Sequence, residues 1–214
     1  MNKKIIVKVA AGLGNQMFMY ANALSLSRRL NYDLFIDNTS GFFQKKNTTL
    51  ERSFRLNIFK IKNDYAKKND KYDNYLTHNI KKILKLINIY QKKKSFITDP
   101  KGNKKNTFYK EINTLLSEKI YLEGYFESEK YFFDSKPNLI EEFKVKDEFI
   151  NKNNKYIEQL SQSNSVSIHI RRNRFVEPQI FSDRGSEPKK DMKLQDVIDY
   201  INKSVTYFEN KIDK

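Results

Sequence analysis

The chain has 214 residues, with 41 Lys and Arg against 26 Asp and Glu, and a formal charge of +15 at pH 7. Its 38% apolar and 14% aromatic residues suffice to bury a core, so the composition predicts a folded, soluble protein. The absence of Cys excludes disulfides, thiolate nucleophiles and thiolate zinc sites, and only two His are available. We therefore expect no metal site and no redox function.

The positive charge is concentrated in residues 60–110, which contain fifteen Lys, four Asp and no Arg. One interpretation is a solvated, Lys-rich surface with a biased composition. The other is a patch that attracts anionic lipid headgroups or other polyanions. Nucleic acid is not an expected partner, because its usual motifs are absent and Arg avoids the segment.

The first elements predict a βαβ unit. A β-branched run at residues 4–10 leads into a glycine-containing turn at residues 11–15, after which a helical pattern is apolar nearly all round. Such a helix should be buried as the crossover to a second strand at Asp33–Asp37. The uncharged stretch 9–27 contains too many polar residues and glycines for a signal peptide or membrane span, so a cytoplasmic location is expected.

The middle of the chain is less regular, and residues 41–75 receive no assignment. Apolar residues at helical spacing predict an amphipathic helix at residues 78–92 with a Lys-covered outer face. Residues 94–118 are ambiguous, and residues 119–123 form a predicted strand. Three helices are predicted after it, at residues 127–134, 137–143 and 148–162.

The last predicted elements are an alternating, half-buried strand at residues 165–170 and a helix at residues 192–208. The chain has no internal repeats. One domain boundary is predicted near residues 160–165, which separates a Rossmann-like domain of residues 1–162 from residues 165–214. The expected fold class is α/β.

A first chemical motif lies in the turn after the first strand. Gly12 and Gly14 do not complete a dinucleotide fingerprint, because Met17 occupies the third glycine position. Glycines between a strand and a buried helix nevertheless allow close backbone approach where α/β sheets bind ligands. Asn15 and Gln16 would present amides to a polar ligand, or Asn15 would simply cap the helix.

A second motif places three of the eight Arg within residues 171–174. Guanidinium groups bind phosphate oxygens in a planar, bidentate manner. Strand alternation puts Arg171 on the same polar face as His169, with Arg172 on the other face. The alternative is a surface cluster paired to nearby carboxylates, with His169 as a hydrogen-bonded structural residue.

Residues 11–21, 121–132 and 166–172 resemble, in the same order, three motifs of the glycosyltransferase family 11 fucosyltransferases. The resemblance implies an inverting α-1,2-fucosyltransferase of surface-glycan synthesis that moves L-fucose from GDP-fucose to a galactoside hydroxyl. It also implies a GT-B-like pair of Rossmann-type domains that needs no metal ion or other cofactor.

The resemblance also assigns residue roles. The catalytic residues would be Arg171, which binds the β-phosphate of the donor, and His169. A guanidinium there stabilises charge that grows on the diphosphate as the glycosidic bond breaks. The donor-binding residues would be Arg171, Arg172, Gly12, Gly14, Asn15 and Gln16.

The chain departs from the family pattern in two ways. Arg174 stands where the motif has Asp. The family would also continue after the last predicted helix, so residues 165–214 are too few for a complete donor-binding domain. We therefore expect a C-terminally truncated member, with only the start of the second domain.

The expected partners are a GDP-sugar donor and a galactoside-containing glycan acceptor. Acceptors of this kind are often lipid-linked, and residues 60–110 would suit peripheral contact at the inner membrane face. Two other interpretations remain open, a non-catalytic truncated remnant and a basic module that binds polyanions or a membrane surface. A different nucleotide sugar also remains open, and no general base is identified.

Overall fold

The computed structural model describes residues 3–43, 52–99, 116–150, 154–168 and 194–212. The chain divides into two compact units, Met1–Ile150 and Asn151–Lys214. The domain boundary near residues 160–165 stays a prediction.

The first unit is built on a four-stranded, fully parallel sheet with the order β2-β1-β4-β3. Its strands are β1 (Lys4–Lys8), β2 (Asp33–Asp37), β3 (Lys94–Thr98) and β4 (Leu116–Glu123). Helix α1 (Leu13–Leu30) connects β1 to β2, which confirms the predicted βαβ unit and the α/β class. The GT-B arrangement stays a prediction.

The two faces of the sheet carry different side chains because successive residues of a strand alternate. Ile5 and Val7 join the core formed with α1, whose buried face confirms the predicted crossover helix. Ile6 and Tyr121 belong to the opposite face. Helix α2 (Tyr75–Tyr90) lies on this second face, where the Lys81 ammonium is 5.9 Å from the centroid of the Tyr121 ring.

The orientation of α2 is the reverse of the predicted one. Lys81 and Asn88 are buried, whereas Ile83 and Ile87 are 59% and 48% exposed. The predicted Lys-covered outer face is therefore wrong. These two residues face inward because the sheet supplies their partners. Lys81 pairs with Glu123 of β4, and Asn88 bonds to the backbone of β3.

The helix predicted at residues 127–134 is also wrong, since two 3₁₀ turns, Glu129–Tyr131 and Phe133–Ser135, occupy this stretch. Phe126 has a left-handed φ of 50° just before them, and its ring packs edge-to-face on Tyr131 at 5.3 Å. This tight reversal buries both aromatic rings and leaves no room for a regular helix. Further 3₁₀ turns and helices complete the first unit: Leu56–Ile58, Lys68–Asp70, α3 (Lys136–Glu142) and α4 (Asp147–Ile150).

The second unit contains helices α5 (Asn154–Ser161) and α6 (Leu194–Ile212), and α6 confirms the last predicted helix. The predicted strand at residues 165–170 is not formed over its described part, residues 165–168. Val166 and Ile168 are exposed there. A strand needs a hydrogen-bonded neighbour, and the described residues of this unit include none.

Gly41 is required by close backbone packing. A Cβ atom added there would lie 1.9 Å from the Val9 carbonyl oxygen, whereas one added at Gly14 would meet nothing within 4 Å. We expect Gly41→Ala to lower the free energy of unfolding by about 3 kcal/mol, because backbone has to shift. Gly14→Ala, in the first turn of α1, should be neutral or stabilising by up to ~1 kcal/mol. Urea unfolding measures both, and equal midpoints for the two variants would contradict the packing argument.

Candidate functional site

The carboxyl ends of β1 and β4 form the point of the sheet where strand order reverses. From β1 the chain continues outward to β2, whereas β3 and β4 lie on the other side. Helices α1 and α2 lie on opposite faces at this point. Parallel α/β sheets bind ligands at such a place, so the turns after β1 and β4 define the candidate site.

The turn after β1 contains the first motif. The Val9 amide donates to the Asp37 carbonyl at 3.1 Å, and Ala11 adopts a left-handed φ of 65°. Gly12 is the N-cap of α1 without a side-chain capping bond, and Asn15 lies inside the first helical turn. The alternative that Asn15 caps the helix is therefore wrong. Gly14 is exposed and Asn15 half-buried at this edge.

Gln16 is fully buried and bound to backbone. Its amide nitrogen donates to the carbonyls of Ala11 at 2.9 Å and Ser53 at 2.8 Å, and its oxygen accepts from the Arg55 amide at 2.9 Å. The side chain thus joins the turn to residues 53–55. Direct contact of Gln16 with a donor stays a prediction, and the role that the structure gives it is to hold this segment beside the turn.

Arg52 enters the site through this connection. A Cβ atom added at Gly12 would lie 3.4 Å from Nη1 of Arg52, so the guanidinium lies beside the motif. Arg52 was not predicted from sequence, because it precedes a segment with no recognisable pattern. The hydrogen bonds of Gln16 connect this segment to the turn, although their partners lie 37 and 39 residues away in sequence.

The turn after β4 places the second family-like motif, residues 121–132, at the same edge. A Cβ atom at Gly124 would lie 2.4 Å from Cβ of Asp99, so only glycine fits. The Asp99 carboxylate accepts from the amides of Tyr125 at 3.2 Å and Phe126 at 3.0 Å. Two of the three family-like motifs therefore meet at the β1–β4 edge.

Glu123, the last residue of β4, is surrounded by three ammonium groups. Lys8 of β1 contacts one oxygen, and Lys81 and Lys85 of α2 lie 3.4 and 3.1 Å away. Burial alone would raise the pKa of Glu123, but the three positive charges lower it to about 2. Burial lowers the pKa of Lys81, and the charge of Glu123 opposes this effect. Glu123 is thus a permanent anion at physiological pH.

Asp37 ends β2 and is fully buried. Its carboxylate accepts from the Tyr121 hydroxyl at 2.7 Å and from the amides of Ser40 at 3.0 Å and Thr39 at 3.2 Å. Burial and the Asp37 charge raise the pKa of Tyr121 well above its usual range, so Tyr121 stays a donor. This bond crosses β1 and fixes the three strand ends relative to one another.

Gly12, Gly14, Asn15 and Gln16 are thus brought together in one turn. His169, Arg171 and Arg172 lie outside the described residues, so their roles stay predictions. Across the described ranges, no group of three or more His, Asp or Glu side chains is arranged to hold a metal ion. None of the helices in the described part of the chain is both long and apolar enough to cross a membrane.

Two curated proteins are similar to this chain over most of its length. It is 30% identical over 176 residues to an α-1,2-colitosyltransferase of Escherichia coli. The aligned region covers 80% of this chain and 55% of that protein. It is 25% identical over 226 residues to the O-antigen biosynthesis glycosyltransferase WbnK of Escherichia coli. This aligned region covers 94% of this chain and 67% of that protein. No family model and no solved structure matches.

The homologues of this chain are therefore glycosyltransferases, which supports the expectation of a glycosyltransferase drawn from the sequence. The chain spans 55% of the length of the colitosyltransferase.

Gln16 should contribute strongly to stability. Gln16→Ala leaves three backbone groups without their partner, and we expect a loss of roughly 2–4 kcal/mol in the free energy of unfolding. Gln16→Glu should be similarly destabilising, because a carboxylate cannot donate to two carbonyls. Asn15→Ala is the matched control and should change stability by less than about 0.5 kcal/mol. Urea unfolding of the three variants checks this, and a Gln16→Ala variant as stable as Asn15→Ala would contradict it.

Glu123 should make stability depend on acidic pH. Its pKa falls from 4.5 to about 2 on folding, so its contribution is complete above pH 4.5 and is lost as the pH falls toward 2. Glu123→Gln should flatten this part of the pH profile and lower stability at pH 7, because three ammonium groups lose their anion. Glu118→Gln, exposed on the same strand, is the control. Thermal unfolding between pH 2 and 7 tests the expectation, which parallel profiles of wild type and Glu123→Gln would refute.

Proposed function

We propose that the protein is an inverting glycosyltransferase of surface-glycan synthesis, an α-1,2-fucosyltransferase that transfers L-fucose from GDP-fucose to a galactoside hydroxyl. The observation that carries the proposal is the meeting of two family-like motifs at the β1–β4 edge, in a chain whose relatives are glycosyltransferases. The names of those relatives, an α-1,2-colitosyltransferase and an O-antigen biosynthesis glycosyltransferase, support sugar transfer in surface-glycan synthesis.

The proposed reaction is a single displacement. The acceptor hydroxyl oxygen bonds to the anomeric carbon of fucose, and the bond from that carbon to the β-phosphate oxygen breaks. GDP leaves with the electron pair, and the hydroxyl proton passes to a base. Negative charge grows on the diphosphate, and the Arg171 guanidinium is proposed to stabilise it there.

The described part of the site supports this chemistry with a further cation. Arg52 lies beside Gly12 at the amino end of α1, so a diphosphate near the turn would meet a guanidinium and the backbone amides of the first helical turn. Neutralisation by guanidinium groups fits an enzyme that uses no metal ion. Glu123 is unsuited as the general base, because three lysines keep its pKa near the bottom of the carboxylate range.

Glycan acceptors of this type are often lipid-linked at the cytoplasmic face of the membrane. We therefore include peripheral contact through the Lys-rich residues 60–110 in the proposal. A galactoside-containing glycan and a GDP-sugar are the proposed partners.

Transfer is measured with GDP-fucose, nucleotide-activated colitose and GDP-mannose, with a galactoside acceptor and mass-spectrometric detection of the product. Both the chain and a chimera extended by the part of the colitosyltransferase that the chain does not cover are assayed, because the chain aligns with 55% of that relative. In whichever of these two proteins transfers the sugar, Arg171→Ala should lower the transfer rate by about 10²–10³, and Arg171→Lys should restore little of it. Arg184→Ala, outside the motif, is the control.

The same assay is repeated with EDTA, which should leave the rate unchanged. A rate abolished by EDTA and restored by Mg²⁺ or Mn²⁺ would contradict guanidinium neutralisation. Transfer of another sugar in place of fucose would correct the donor, and undiminished transfer by Arg171→Ala would overturn the assignment of the motif.

A further inference from the structure

Helix α2 is fixed with its polar residues toward the sheet. Lys81 is 4% exposed, and its ammonium lies 5.8 and 5.9 Å from the ring centroids of Tyr72 and Tyr121. Lys81 and Lys85 both pair with Glu123 at the carboxyl end of β4. These contacts set the rotation of the first half of the helix.

The second half of α2 is tied to β3. The Asn88 side chain donates to the Phe96 carbonyl at 3.0 Å and accepts from the amides of Ser95 at 2.8 Å and Phe96 at 3.2 Å. Lys94 donates to the carbonyls of Asn88 and Ile89 at the end of the helix, at 2.7 and 2.8 Å. Asn88 lies seven residues after Lys81 and so on the same face, which gives α2 a single orientation.

The opposite side of α2 is an exposed apolar stripe with alternating steps of four and three residues. The exposed fractions run from 43% at Ile80 to 89% at Tyr90. We call it the α2 apolar face, and it consists of Leu76, Ile80, Ile83, Ile87 and Tyr90. Side chains at this spacing share one face of a helix, so the stripe is continuous.

The surroundings of the α2 apolar face are basic. Residues 74–98 contain no Asp or Glu. Lys82 is exposed on the flank of the helix, and Lys92 and Lys93 are exposed directly after it. Exposed tyrosines, Tyr75 and Tyr90, stand at the two ends of the helix.

We propose that the α2 apolar face docks this protein on an anionic lipid bilayer. Helices that lie in the membrane interface combine an apolar face with flanking lysines, and aromatic rings with polar tips favour the headgroup level. Lysines near a bilayer are attracted to anionic lipids. A second copy is the weaker occupant, because a two-fold contact through α2 would bring two acid-free, Lys-rich surfaces together.

The proposal also orients the candidate site. Lys81 and Lys85 tie α2 to Glu123, which ends β4 at the β1–β4 edge. A bilayer under α2 would therefore lie next to this edge, on the side of the sheet opposite α1. An acceptor carried on a lipid would reach the site without leaving the membrane surface. This last step rests on the proposed function, whereas the docking itself does not.

Vesicle flotation of the full chain tests the docking. We expect binding to phosphatidylcholine vesicles that contain 30% phosphatidylglycerol, and much weaker binding to phosphatidylcholine alone. The double variant Ile83→Ser with Ile87→Ser should lower the partition coefficient at least about tenfold. Lys92→Glu with Lys93→Glu should lower it about as much at low salt. Phe133→Ser and Lys130→Glu, at exposed positions in the first unit outside α2, are the matched controls and should bind as wild type.

Insertion is tested separately from charge attraction. The chain has no Trp, so Ile87→Trp introduces a single fluorescent reporter and Phe133→Trp its control. Anionic vesicles should shift the emission of Ile87→Trp to the blue and leave Phe133→Trp unchanged. Circular dichroism melts establish that every variant folds, which is expected because all these side chains are exposed.

Three outcomes would overturn the docking proposal. The first is the absence of binding to anionic vesicles. The second is binding that the Ser variant retains and that gives no blue shift, which would show adsorption by charge alone. The third is a dimer in analytical ultracentrifugation that the Ser variant abolishes, which would make a second copy the occupant. None of these readouts depends on sugar transfer, so the docking proposal and the proposed transferase activity fail independently.

Discussion

The contact between Glu123 and three lysines is the interaction on which the rest of the molecule depends. It joins β1, β4 and α2 at one point, since Lys8 comes from the first strand and Lys81 and Lys85 from the helix. A half-buried carboxylate with a low pKa depends on its cations, so the position of α2 is coupled to the end of β4. The ion cluster therefore ties the β1–β4 edge to the first half of α2, and Asn88 and Lys94 fix the second half.

The βαβ unit was predictable from sequence, because a β-branched run, a glycine turn and an apolar helix are all local patterns. The rotation of α2 was not. Its sequence carries both an apolar and a polar stripe at helical spacing, and burial of the apolar one is the ordinary expectation. The partner that reverses this choice, Glu123, lies 42 residues from Lys81. The strand predicted at residues 165–170 does not form over residues 165–168 for a related reason, since alternation predicts a face but supplies no neighbouring strand.

The candidate site, too, was only partly predictable from sequence. The turn at residues 12–16 was predicted at the carboxyl end of β1, and the structure places it there beside the turn after β4. The function of Gln16 could not be predicted, because its partners come from residues 53–55, a stretch without periodicity. Arg52 was missed for this reason. A buried amide that bonds only to backbone determines which other residues reach a site, and sequence spacing does not reveal it.

The internal use of lysines changes how the basic composition should be interpreted. Lys81 and Lys85 are bound to Glu123, and Lys94 caps the end of α2, so these charges serve the fold. These three lysines of residues 60–110 are therefore not part of the charge that faces a bilayer. Lys82, Lys92 and Lys93 remain exposed near the α2 apolar face. Under the docking proposal, burial of the α2 apolar face adds to the attraction by these exposed lysines, so binding should weaken with salt but less than for the Ile83→Ser, Ile87→Ser variant.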